Sequence, residues 1–73
     1  MKIEYSNEAD ALYVYFREVA VAKSKEVEEG VVVDFDEDGH IVGIEILDAR
    51  KRLTIRELVN VNIQNLPVEA GAY

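Results

Sequence analysis

Asp34, Asp36, Asp38, Gly39 and Glu45 fall at D-x-D-x-D-G-x5-E, the spacing with which an EF-hand loop wraps a calcium ion in oxygen ligands. Such a loop needs an entering and an exiting helix, so that its last Glu returns to the ion. The entering segment here, Glu29-Gly30-Val31-Val32-Val33, is a poor helix and a good strand. The acids therefore read as a solvated turn, and Asp34, Asp36, Asp38 and Glu45 stay only as candidates for weak divalent-cation binding. Paired carboxylates can act as acid and base where a pocket drives their pKa values apart, and a hairpin tip offers none. Asp34 and Glu45 read instead as rim charges that discourage indiscriminate edge pairing. His40, the single histidine, sits just past the turn, far in sequence from Ser6, Ser24 and Thr54, so a nucleophilic triad has little material. There is no cysteine, hence no thiol chemistry or disulfide, and no phosphate-binding glycine loop or dinucleotide fingerprint. The expectation is a chain that is not an enzyme and uses no cofactor.

The element that must position these residues is Gly30 to Leu47, GVVVDFDEDGHIVGIEIL, which reads as one β-hairpin around Asp38-Gly39. With Asp38 and Gly39 as the central pair of a type I′ turn, Phe35 lies opposite Val42, Val33 opposite Ile44 and Val31 opposite Ile46. One face is then wholly apolar, because a strand's side chains alternate. A three-residue loop would mix the two sets. Gly43 within a strand marks a close backbone approach or a bend.

Around the hairpin, Lys2 to Tyr5 reads as a short strand, SNEAD as a turn, and Ala11 to Arg17 as a second strand. A third extended segment is expected near Ala22 to Val27. After Leu47 the period changes toward helix. Asp48 can cap one turn, and Thr54 with Glu57 has capping-box spacing, with Leu53 and Leu58 as its hydrophobic staple. Residues 59–66 fit a helical stripe and an extended alternation alike; the asparagines, β-branched residues and Pro67 favour a short helix followed by an extended tail. The fold expected is α+β: a small antiparallel β-meander of about four to five strands with one C-terminal helix packed on one face. Residues 1–66 form the domain, and 67–73 a loosely ordered tail.

With 73 residues, a single core rarely supplies more than about 3 to 5 kcal/mol without a disulfide, metal or partner subunit. Fifteen acidic against eight basic residues give a formal charge of −7, which repels nucleic acid and suits solubility or a basic protein partner. Arg50-Lys51-Arg52 reads as a solvated helix face. The start, MKIEYSNEADAL, has no signal-peptide pattern and no stretch approaches a membrane span. A cytoplasmic protein with no membrane and no nucleic-acid partner is expected.

A helix on the Leu12, Val14, Phe16, Val31, Val33, Phe35, Val42, Ile44 and Ile46 side leaves Tyr13, Tyr15, Val32, Ile41 and Leu47 on the other. That patch is too apolar for a monomer's outside. A second copy related by a two-fold axis is the commonest cover, so a homodimer is expected, with these five residues as its interface. YSNEADALYVYF and GVVVDFDEDGHIVGIEILDARKRL together resemble the prokaryotic domain of unknown function 2283 family over about the first 53 residues. The resemblance implies a compact β-sheet domain with a helix and brings no activity. In size and setting such proteins resemble antitoxin-like neighbours of small toxin genes, so neutralising a basic toxin is the alternative to a self-associating, protein-binding module.

Overall fold

A computed structural model describes residues 1–64, apart from the side chains of Ile55 and Val59. The strands are β1 (Lys2–Ser6), β2 (Ala11–Tyr15), β3 (Lys23–Glu28), β4 (Val31–Phe35) and β5 (Ile41–Leu47), followed by two short helices, α1 (Ala49–Arg52) and α2 (Ile55–Val59). The class is α+β, with one antiparallel five-stranded sheet in the order β1-β2-β5-β4-β3. A continuous meander is therefore corrected. β1 and β2 form one hairpin, and β3, β4 and β5 a second unit, but β2 pairs with β5.

The physical reason lies in composition. β3, KSKEVE, is exposed at every position, so its charged side chains suit an edge, where they also deter stray pairing. β5, IVGIEIL, has the long β-branched run that an interior strand needs. Gly43 makes the fit possible. It is buried, and a Cβ there would run into the Val14 carbonyl oxygen and stand 3.1 Å from Tyr15 Cα. The close backbone approach expected at Gly43 is thus the β2–β5 contact.

The β4–β5 register agrees with the alternation over most of its length, with Val31 opposite Ile46 and Val33 opposite Ile44. At the tip the expectation of a two-residue loop is corrected. Asp36 N–H donates to His40 O at 2.8 Å and Gly39 N–H to Asp36 O at 3.0 Å, so Glu37, Asp38 and Gly39 make a three-residue loop with Gly39 at φ 83°. Phe35 then faces Ile41 rather than Val42, and a register shift beyond it leaves Val42 as the extra residue of a bulge. The bulge restores the phase. A three-residue loop does not mix the faces, because the inserted residue cancels the slip.

α1 is held at one end of the sheet by polar contacts. Asp48 occupies its N-cap position at φ 51° but makes no side-chain cap bond, correcting the capping role expected of it. Asp10 does that work from the β1–β2 turn: its carbonyl accepts from Ala49 N–H at 2.9 Å and its carboxylate from Arg50 N–H at 3.1 Å. The basic run is not merely a solvated face. Arg50 pairs with Asp10 at 3.3 Å, while Arg52 reaches Glu28 at 3.3 Å and the Glu29 carbonyl, pinning the helix to two turns.

α2 opens on the capping box read from the sequence, Thr54 Oγ1 accepting from Glu57 N–H at 3.2 Å and Thr54 N–H donating to Glu57 Oε1 at 2.9 Å. Asn60 ends it in extended geometry, and residues 60–64 form neither helix nor strand. The remainder of the stretch left open between helix and strand, and the tail from residue 67, lie outside the described residues. No described helix is long and apolar enough to cross a membrane.

Candidate functional site

Pairing carries one alternation phase across all five strands, since directly opposed residues share a face. Lys2 stands opposite Tyr15, Glu4 opposite Tyr13, Tyr13 opposite Glu45, Val32 opposite Glu45 and Glu26, and Asp34 opposite Gly43 and Ser24. These residues, with Leu47, make one surface, here called the tyrosine face. Ile41 stands opposite Phe35, which belongs to the other face. The bulge thus takes Ile41 out of the set to which simple alternation assigns it.

The Tyr13 and Tyr15 rings lie nearly parallel, 8° apart in plane with centroids 6.1 Å apart. Lys2 Nζ stands 5.9 Å from the centre of the Tyr15 ring, within the range of a cation–π contact. Burial raises the Tyr15 hydroxyl pKa, and nearby Glu4 and Glu45 add to the effect.

Asp34 is 2% exposed, the one buried charged residue among those described. Ser24 Oγ donates to its Oδ1 at 2.6 Å. Its other neighbour is Glu45, diagonally across the β4–β5 ladder, where the distance suits longer side chains. The hydrogen bond with Asp34 pushes Glu45 up to about 7, with desolvation and the Asp34 charge acting in the same direction. A bond between two carboxyl groups needs a proton on one of them. The two acids stand in the middle of a sheet and are not a pair of rim charges: β4 and β5 are interior strands.

The tip is a separate place with other chemistry. Asp36 Oδ1 accepts from Asp38 N–H at 3.0 Å and from His40 N–H at 2.9 Å, while Oδ2 meets Arg17 Nη2 at 2.8 Å. The Arg17 hydrogen bond first, and the His40 amide next, hold the Asp36 carboxyl below its ordinary range. Asp38, His40 and Glu37 are exposed. The EF-hand spacing therefore does not gather its acids: Asp34 and Glu45 lie on the tyrosine face, while Asp36 closes its own turn. Among the described residues no group of three or more acids or histidines is placed to hold a metal ion.

Sequence reasoning missed Ser24, Asp10 and Arg17. Ser24 was legible only through the β3–β4 register, and Arg17 only through the tip loop, which turns Asp36 toward it.

Residues 2–50 match the family described as a protein of unknown function, DUF2283. The chain belongs to this family. The match spans β1 to the start of α1, and so includes the whole tyrosine face and the tip. The DUF2283 chain is also 44% identical over 55 residues to an uncharacterized protein of Methanocaldococcus jannaschii, covering 75% of this chain and 47% of that one. It thus spans about half the length of the curated relative it matches. No solved structure matches it.

Proposed function

We propose that this DUF2283 chain is a cytoplasmic, non-enzymatic module that self-associates through the tyrosine face and binds protein partners by it, using no cofactor. The observation that carries the reading is how little the sheet covers. Among the described residues the buried apolar side chains are Ala11, Leu12, Val42 and Ala49, and the largest with under 2% exposure is Val42. A single sheet is hydrophobic on its faces and needs a second layer. Tyr13, Tyr15 and Val32 are only half-buried on one side; Ile3 and Phe16 are 42% and 40% exposed on the other. In this reading α2, whose Leu58 is half-buried, covers part of the Leu12, Val14, Val33, Ile44 and Ile46 side. A second copy covers the tyrosines.

Five strands about five residues long offer a face of roughly 24 Å by 17 Å, so a two-fold dimer buries on the order of 1,000 Å², at the small end of specific interfaces. Association of this size is concentration-dependent. Sedimentation equilibrium at tens of micromolar is expected to give twice the monomer mass, and Tyr15→Asp or Val32→Asp the monomer mass with an unchanged far-UV circular dichroism spectrum. Wild-type protein that stays monomeric there overturns the proposal.

The charge balance of −7 supports a second reading, an antitoxin-type role toward a small basic protein encoded nearby. Tight binding that weakens steeply with salt is its signature; co-expression without a complex counts against it.

A further inference from the structure

The carboxyl pair lies inside the surface just assigned to self-association, and this has consequences for when copies can join. Asp34 is already withdrawn from water, with one oxygen occupied by the Ser24 hydroxyl. The titratable and charged groups facing Glu45 are Lys2 and Glu4 from β1, Tyr13 and Tyr15 from β2, Glu26 from β3 and Asp34 from β4. Only Lys2 is cationic. It stands 3.6 Å from Glu4 and over the Tyr15 ring. Arg17, Arg50 and Arg52 pair instead with Asp36, Asp10 and Glu28, so among the described residues no cation lies within ion-pair distance of Asp34 or Glu45.

Covering this face with a second copy removes the water that screens the pair and brings a symmetry-related pair toward it. Ionised carboxylates without a cation are costly in such a setting, whereas a pair holding one proton carries half the charge and satisfies its own hydrogen bond. Resting on the reading of the tyrosine face as the interface, we infer that self-association is proton-linked through the neighbouring acids Asp34 and Glu45: copies join while one of the two carboxyls carries a proton and separate when it is lost. The sign follows from the direction in which association moves the group. Burial in the interface raises the affinity of Glu45 for its proton further, so dimerisation takes up protons and is favoured at lower pH.

The single copy already holds Glu45 at about 7. With one proton per copy, the dimer dissociation constant is expected to rise about a hundredfold between pH 6 and pH 8. Sedimentation equilibrium of the full chain across pH 5.5 to 8.5 tests this, with wild type beside Glu45→Gln, Asp34→Asn and Glu8→Gln. Glu8 is exposed in the β1–β2 turn and controls for the loss of one negative charge. Glu45→Gln keeps a hydrogen-bond donor toward Asp34 without a titrating proton, and is expected to hold the constant near its pH 6 value throughout. Asp34→Asn moves the transition down toward the ordinary carboxyl range. Glu8→Gln leaves the profile of wild type.

A dimer whose affinity is flat with pH overturns the inference and leaves the interface standing. A profile that survives in Glu45→Gln, or is lost equally in Glu8→Gln, also overturns it. Monomer at every pH removes the interface and the inference together.

Discussion

Asp34 and Asp36 stand two residues apart at the end of one strand, yet they are held by opposite means. Asp36, at the tip, is met by an arginine and two backbone N–H groups, and each of these favours its charged form. Asp34, on the tyrosine face, is met by a serine hydroxyl and by another acid. The tip accepts charge because donors converge on it. The face has no such supply, and the neighbouring acid and desolvation push Glu45 up to about 7. Residue type does not decide between these outcomes. What decides is whether the neighbouring strand brings donors or a second acceptor.

The two glycines repeat the contrast, one kept for space and the other for backbone angle. The largest perturbation is therefore expected on the face. Gly43→Val forces a side chain into the Val14 carbonyl and Tyr15 Cα, where β2 and β5 cannot move apart without losing their ladder. With only about 3 to 5 kcal/mol available to a domain of this size, the variant is expected to be unfolded at 25 °C by circular dichroism. A cooperative melt near that of wild type would show that the β2–β5 approach is looser than described.

Asp34→Ala ranks next and sharpens the account of the pair. At pH 5.5, where Glu45 is protonated, it removes the acceptor for both the Ser24 hydroxyl and the Glu45 proton, with an expected loss of about 1–3 kcal/mol in urea denaturation. At pH 8 the loss is smaller, because wild type then bears the repulsion that the substitution removes.

Glu45→Gln separates the two regions by pH. A group whose folded pKa lies above its unfolded value stabilises fully below the unfolded value, and the contribution is lost as pH rises through the folded one. For Glu45 that window runs from 4.5 to about 7, with a slope approaching about 1.4 kcal/mol per pH unit. Asp36, whose pKa is lowered, contributes in the reverse sense: its part is present above 3.8 and is lost as pH falls. Denaturation midpoints from pH 3 to 8 are expected to decline on both sides in wild type, and only on the acid side in Glu45→Gln.

The smallest effect belongs to the tip. Gly39 has φ 83° but nothing within 4 Å of an added Cβ, so Gly39→Ala meets only the conformational cost of about 1 kcal/mol. Its thermal melt should shift by a few degrees, with the tyrosine-face pH profile intact.

Much of the hairpin was legible because alternation alone fixes which residues share a face. Val31, Val33, Ile44 and Ile46 came out together, as did Tyr13, Tyr15 and Val32. The Thr54–Glu57 capping box was equally readable, since both partners lie within one turn. Strand order was not. Alternation specifies a face and is silent about the neighbour, and β2 finds its partner β5 beyond two intervening strands. The tip was ambiguous because Asp38-Gly39 suits a two-residue loop as well as the end of a three-residue one. Only the extra residue at Val42 distinguishes them. The same limit hid the candidate site: Asp34 and Glu45 were visible as ligands spaced along a chain, whereas their contact is diagonal across a ladder and exists only once the register is set.

The pairing of β2 with β5 also governs how the chain reaches its native state. The β1–β2 hairpin and the β3–β4–β5 unit each assemble from residues close in sequence, on the microsecond scale of local hairpins. Their union brings together residues far apart in sequence, from Tyr15 with Gly43 to Ala11 with Leu47, and proteins whose contacts span such separations fold more slowly. Substitutions along the β2–β5 seam should therefore slow refolding, whereas those between β3 and β4 should chiefly hasten unfolding.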